Sequence, residues 1–286
     1  VLIPVLALAA ACAAPAAPLL PRAHSHNDYK QSPPLLAALD CGFMSVEADV
    51  HLRGGELMVA HTGGDVKPGV TLQSLYLDPL LTRVRANGGS VYKDGPKGFT
   101  LLVEFKSDAD ESYLALREIL RAYTEMLTAY DNGRIREGAV TVVITGHKPE
   151  GLMRAEPLRY ASIDGDLGDS GSAETTLFTT ISADWGAHFT WRGGRLETEE
   201  RRRLAKYVSQ AHARGRRIRF WAIPDREEGW ALMYDEGVDL INTNKLEDLA
   251  VFLRKQTLES SMLRRLRRFF RGASAPESFD GNRVWR

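Results

Sequence analysis

Cysteine is nearly absent. The chain has two, Cys12 and Cys41, too few for a disulfide framework, and no Cys–His zinc spacing is present, so stability has to come from packing. An excess of either charge is also missing: Lys plus Arg and Asp plus Glu number 37 each. With no overall field to attract a polyanion, a nucleic-acid partner is not expected. No internal repeat or interdomain linker breaks the chain. The one long apolar stretch, "VLIPVLALAAACAAPAAP", is interrupted by Pro4 and Pro15, which argues against a membrane-spanning anchor. Its order, apolar then small then Pro-rich, matches the core and cleavage region of a secretory signal. Residues 1–18 are therefore expected to direct export (secreted, periplasmic or surface-attached). With neither Met nor a basic start, the sequence is expected to begin inside the precursor.

What remains is rich in short apolar runs. Of 286 residues, 44% are hydrophobic, enough for a sizeable core and a typical size for one α/β barrel. Predicted strands are "LLPRAHS", "FMSVEADV", "FTLLVEF", "AVTVVIT", "RYASID", "FTTISA", "RIRFWAI" and "VDLINT". Between them stand helical patterns: "PPLLAALD", "SLYLDPLLTRVRAN", "DESYLALREILRAYTEMLTAY", "PEGLMRAE", "ETEERRRLAKYVSQAHARG" and "REEGWALMYDEG". Strand–helix alternation calls for parallel strands joined by crossover helices, and eight strands suit closure. The expected fold class is α/β, a single-domain (β/α)8 TIM barrel over residues 19–255. "GDLGDSGSAETT", after the fifth strand, reads as a loop, and the acidic "DGDLGD" (Asp164, Asp166, Asp169) reads as a solvated turn rather than a Ca2+ loop. Residues 256–286 are expected to form a basic amphipathic helix and a mobile end. In "SSMLRRLRRFFRG", Met262, Leu263, Leu266, Phe269 and Phe270 make an apolar stripe beside five arginines. Such a helix at 260–272 suits an anionic membrane surface or a groove on the barrel.

Catalytic groups of such a barrel sit at the C-terminal ends of the strands. There the sequence places His24 and His26, then Glu47 and Asp49, then His61 after a further apolar run, then Glu104 and Lys106. Residues two apart on a strand share a face. Val46, Ala48 and Val50 fill the opposite face of "SVEADV", so Glu47 and Asp49 are expected inside the barrel. Three carboxylates crowded together repel unless a cation lies between them. All-oxygen ligation suits a hard ion, Mg2+ or alternatively Ca2+. His24 and His61, expected to face each other across that ion, suit acid–base work, and Lys106 would neutralise a bound anion. Glu47→Gln is expected to stop turnover and leave the fold intact.

At these residues the chain resembles the phosphatidylinositol-phospholipase-C-like phosphodiesterase superfamily. It is similar to the glycerophosphodiester phosphodiesterase and sphingomyelinase D branches, and most of all to the family named after altered inheritance of mitochondria protein 6. "HSHNDY", "SVEADV", "VAH", "SLYLDPL", "LLVEFK", "RFWAIPD" and "GVDLINTNKL" carry the likeness, from about residue 22 to 250. The resemblance implies a Mg2+-dependent TIM barrel acting on phosphodiesters such as glycerophosphodiesters or phospholipid headgroups. It implies Glu47, Asp49 and Glu104 as metal ligands, His24 and His61 as the catalytic pair, and Lys106 near the phosphate. Asn27, Trp221 and Asn244 match substrate-side positions, Trp221 suiting a choline-like headgroup by cation–π contact or simply packing at the mouth.

The chain also departs from that pattern. The phosphodiesterases carry His-Arg-Gly where this sequence has His24-Ser25-His26, so a phosphate-holding arginine is missing. Arg53, Arg217 and Arg219 are the candidates to replace it. His26 has three open roles: orienting a catalytic group, binding substrate, or facing the core. Two other readings compete. His24-x-His26 also begins the metal set of binuclear hydrolases, although the later histidines are wanting. A barrel that binds headgroups or membranes without turnover is the second.

Overall fold

The computed structural model describes residues 18–272. The segment expected to direct export lies outside the described residues except for Pro18. The stripe expected at 260–272 rests on side chains outside them except for Ser261 and Met262. Among the described residues, no helix is long and apolar enough to cross a membrane.

Eight parallel strands form the barrel. In chain order the strands are β1 (Leu20–Ser25), β2 (Phe43–Arg53), β3 (Glu56–Val59), β4 (Phe99–Phe105), β5 (Ala129–Asp131), β6 (Arg134–Arg136), β7 (Val140–Gly146), β8 (Leu158–Arg159), β9 (Ala161–Gly165), β10 (Phe178–Asp184), β11 (Arg217–Trp221) and β12 (Ile241–Thr243). The barrel runs β11-β10-β9-β7-β4-β2-β1-β12, and a parallel bridge between Arg219 and Leu240 nearly closes it. All eight predicted strands are present. Helices α1 (Leu36–Asp40), α2 (Asp78–Ala86), α3 (Ala109–Leu120), α4 (Glu150–Ala155), α5 (Trp185–His188), α6 (Thr198–His212), α7 (Glu227–Asp235) and α8 (Leu246–Gly272) complete the chain. The expected division at 255/256 falls inside the continuous α8.

Alternation along β2 explains the placement of its acids. Val46, Ala48 and Val50 are fully buried within the apolar core, while Glu47 and Asp49 turn to the barrel axis. Contacts between strands that are not sheet neighbours prove the inward direction. Arg219 on β11 reaches Glu47 on β2, and Arg217 on β11 reaches Thr100 on β4. The interior thus carries polar side chains at both levels, beside apolar ones such as Leu102, which is level with Glu47, unlike the branched apolar layers common in such barrels.

Two hairpins decorate the frame. Gly54 and Gly55, at φ +58° and +87°, make the tight turn that folds β3 back onto β2 antiparallel. This turn carries His61 over the end of β2. The second hairpin overrides a helical expectation. The pattern from Asp110 to Tyr130 is α-helical only to Leu120, with one 3-10 turn at Arg121–Tyr123, after which Ala129–Asp131 pairs with Arg134–Arg136. Asn132 and Gly133, at φ +47° and +78°, supply the Asn-Gly turn that decides this. The loop after β9 is one 3-10 turn, Leu167–Gly171, opened by a capping box between Asp166 and Asp169.

Candidate active site

The strand ends open into a cleft of about 470 Å3 lined by His26, Glu47, His61, Glu104, Lys106, Asp164, Arg219 and Trp221, among others. Parallel register sets Asp49 beside Glu104. One oxygen each from Glu47, Asp49 and Glu104 lies within 4.8 Å of the others. Glu47 and Asp49 are buried, whereas Glu104 is partly open.

Each acid is held differently. Asp49 Oδ2 accepts from the Tyr29 hydroxyl at 2.9 Å and lies 3.1 Å from His61 Nδ1 and 3.2 Å from Lys106 Nζ. Its Oδ1 is buried with no hydrogen-bond partner. Glu104 accepts from Lys106 Nζ at 2.6 Å. Burial, followed by the charges of Asp49 and Glu47, raises the Glu104 pKa against the pull of Lys106. Burial opposes the Lys106 charge, but Glu104 and Asp49 raise its pKa overall. Glu47 Oε2 accepts from Arg219 Nη1 at 2.6 Å and lies 3.0 Å from His24 Nε2. Burial alone would raise the Glu47 pKa. The Arg219 guanidinium and His24 outweigh it and hold the carboxyl well below its ordinary range.

Three carboxylates this close, one of them carrying an orphaned oxygen, fit a hard divalent ion: oxygen donors only, and a free lone pair already desolvated. Among the described residues, no second group of three His, Cys, Asp or Glu side chains comes together this way. The binuclear reading therefore has no support here.

Comparison with known proteins identifies the family. Residues 17–161 match the AIM6-like phosphodiesterase domain. Altered inheritance of mitochondria protein 6 of Eremothecium gossypii is 32% identical over 272 residues, covering 82% of this chain and 70% of that protein. The chain belongs to the AIM6-like phosphodiesterase family. The protein of the same name from Kluyveromyces lactis is 29% identical, with 82% of this chain and 72% of its own length covered. Among solved structures, a glycerophosphodiester phosphodiesterase from Parabacteroides distasonis superposes with a TM-score of 0.52 at 17% identity, covering 82% of this chain and 98% of that one. It shares the TIM-barrel fold.

Within this family member the structure corrects the expected position of His24. The ring does not face His61 across the cleft. It is fully buried, with Nδ1 2.7 Å from Ser45 Oγ and Nε2 between Glu47 and Arg219 Nη1 at 3.0 and 3.1 Å. Strand pleating is the reason: His24 is level with Ser45 in the register, one layer below the acids, and His26 is the residue two further on. His26 lines the cleft with its Nδ1 3.3 Å from Asn244 Oδ1. Asn27 also lines the cleft, and its amide oxygen lies 3.0 Å from the Tyr29 hydroxyl. Trp221 stands 40% exposed at the rim. Asn244 touches the site through His26, and its own backbone N–H donates to Asp225 at 2.9 Å.

Of the three candidate arginines, the fold selects Arg219. Arg53 lies exposed against its own neighbour's carbonyl. Arg217 points to the other end of the barrel, where it donates to Thr100. Arg219 is 3% exposed and lines the cleft. Two residues escaped the sequence reading. Tyr29 gave no pattern signal. Asp164 was absorbed into the acidic turn, yet it is buried in the cleft wall, and the alternation Ser162–Asp164 was its signal. Only Asp166 and Asp169 belong to the turn, Asp166 pairing with Lys148.

Burial, followed by the neighbouring Arg219 charge, pushes the His24 pKa down from 6.5 to about 4, despite the bond to Glu47. The folded state therefore keeps His24 neutral where the unfolded chain would bind a proton. Unfolding takes up that proton between pH 6.5 and about 4, so its contribution is complete above 6.5 and shrinks as pH falls through this window. The loss reaches on the order of 3 kcal/mol at the acid end. Urea midpoints at pH 7 and 4.5 check this, and His24→Gln should flatten the difference.

Proposed function

We propose that this barrel is a metal-dependent phosphoric diester hydrolase or lyase acting on glycerophosphodiester or phospholipid headgroups, with His26 and His61 as its acid–base pair. The observation that carries the reading is the convergence of Glu47, Asp49 and Glu104 within 4.8 Å, with the buried Asp49 Oδ1 left open. These three residues would hold Mg2+, or Ca2+ in its place. When bound, such an ion supplies Lewis-acid polarisation of a phosphoryl oxygen.

The chain's own residues do the rest. Asp49 and Tyr29 fix the His61 ring through Nδ1, leaving Nε2 for the cleft. Asn244 does the same for His26. One imidazole takes the proton of the attacking hydroxyl as its oxygen bonds to phosphorus. The other gives a proton to the departing alkoxide as the old P–O bond breaks, so one proton enters the protein and one leaves. Attack by a neighbouring substrate hydroxyl yields a cyclic phosphate, and attack by water yields a monoester. Lys106, with its three donors and raised pKa, stays charged and neutralises the oxygens of the transition state. Arg219 supplies the guanidinium absent from the first strand.

Phosphorus NMR of the protein with glycerophosphodiesters, lysophospholipids and sphingomyelin tests the proposal. Signals of a cyclic or monoester product should appear with Mg2+ and vanish with chelator. His26→Ala should lower that rate about 10²- to 10⁴-fold, the usual worth of a placed acid or base, with the urea midpoint unchanged. A His26→Ala protein as fast as the parent would remove His26 from the pair.

A further inference from the structure

The cleft wall facing the metal-binding acids carries an acceptor that the proposed reaction leaves unused. Asp164, near the end of β9, is 1% exposed and lines the cavity beside Ser182 and Arg219. Both of its carboxylate oxygens are buried without a hydrogen-bond partner. Arg219 Nη2 is 3.6 Å away, beyond hydrogen-bond reach, and the guanidinium is already engaged with Glu47 and Ser182. The Ser182 and Thr145 hydroxyls stand close enough to pull its pKa down, against the burial that raises it overall, but neither reaches a geometry that completes a hydrogen bond. Buried acceptors are rarely left open in folded proteins. An open pair in the wall of a cavity points to a ligand that brings the donors.

We propose that Asp164 is a specificity residue that accepts hydrogen bonds from the substrate headgroup, selecting headgroups with O–H or N–H donors over a quaternary ammonium. The inference rests on the phosphodiesterase reading of the same cleft. With phosphate at the acids of β2 and β4, the group esterified to it extends toward β9, β10 and β11. Trp221 at the rim offers a π face to any cation. Asp164, deeper in the wall, rewards only a group able to reach its oxygens at hydrogen-bond distance. A trimethylammonium has no N–H, and its methyl groups hold the charge away. Glycerol and ethanolamine headgroups carry the donors required.

Titration calorimetry with four phosphate monoesters in Mg2+ decides this. The probes are glycerol phosphate, phosphoethanolamine, phosphocholine and methyl phosphate. The parent protein should bind the first two about tenfold or more tighter than the last two, the worth of one hydrogen bond to a charged group. Asp164→Asn, which removes the charge but keeps one acceptor oxygen, should narrow that gap and leave methyl phosphate within about twofold. Equal parent affinities, or no binding by any probe, would overturn the proposal. So would an Asp164→Asn loss shared by all four, which would make the residue only a neighbour that positions Arg219. If the variant does not fold, the ranking by the parent still decides. Diester turnover is not part of this measurement, so a barrel that binds with this ranking but does not hydrolyse would refute the catalytic reading alone.

Discussion

Glu104→Gln is expected to remove metal-dependent turnover while the urea midpoint hardly moves. Glu104 is the least buried of the three acids, and its hydrogen-bond partner is the partly exposed Lys106. A pair in that setting contributes about 1 kcal/mol or less. As one of the three oxygen donors proposed for the ion, though, it would be essential to binding. Removing even an outer-shell partner of a metal ligand costs about 10- to 100-fold in affinity or activity, so losing a ligand should exceed about 100-fold. Calorimetry with Mg2+ should show the heat of binding disappear along with product formation. Turnover at the parent rate would end the reading of the acids as a metal site. This variant is a cleaner test than Glu47→Gln, and here the structure revises the sequence expectation. Glu47 is the partner of a buried guanidinium, so glutamine there is expected to cost stability as well as activity.

Arg219→Leu should be among the most destabilising single substitutions in the barrel, by about 3–5 kcal/mol, because it leaves an uncompensated buried charge behind. Arg219 bonds to Glu47 and Ser182 and lies 3.6 Å from Asp164, all in the interior. Without it, Glu47 loses its guanidinium partner and Asp164 its nearest cation. Chemical denaturation with and without Mg2+ checks the cause. An ion binding at Glu47 should restore part of the loss, since a ligand that binds only the folded state stabilises it. The double variant Glu47→Gln/Arg219→Leu should lose less than the sum of the singles. Full additivity would mean that the two side chains do not depend on each other.

Much of this could be seen in the sequence. The eight strands were readable because each is a short apolar run bounded by turn or helix signals. The inward direction of Glu47 and Asp49 was readable because Val46, Ala48 and Val50 left them no other face. The small sheet at Ala129–Arg136 was hidden by a helical pattern that runs up to it, although Asn132-Gly133 was a turn signal. His26 rather than His24 at the cleft was not readable. Period-two alternation gives the face of a strand but not the depth at which the strand meets the barrel mouth.

The sequence by itself determined the barrel, the polar interior of β2 and the assembly of three acids with nearby imidazoles and Lys106, because all of these follow from local alternation and strand order. Only the tertiary structure decided which arginine joins the acids, which histidine lines the cleft, and that Asp164 faces it. Those outcomes depend on how far each strand is staggered against its neighbours and on contacts across the barrel. Arg219 meets Glu47 over a sequence separation of 172 residues, and no local pattern encodes that meeting.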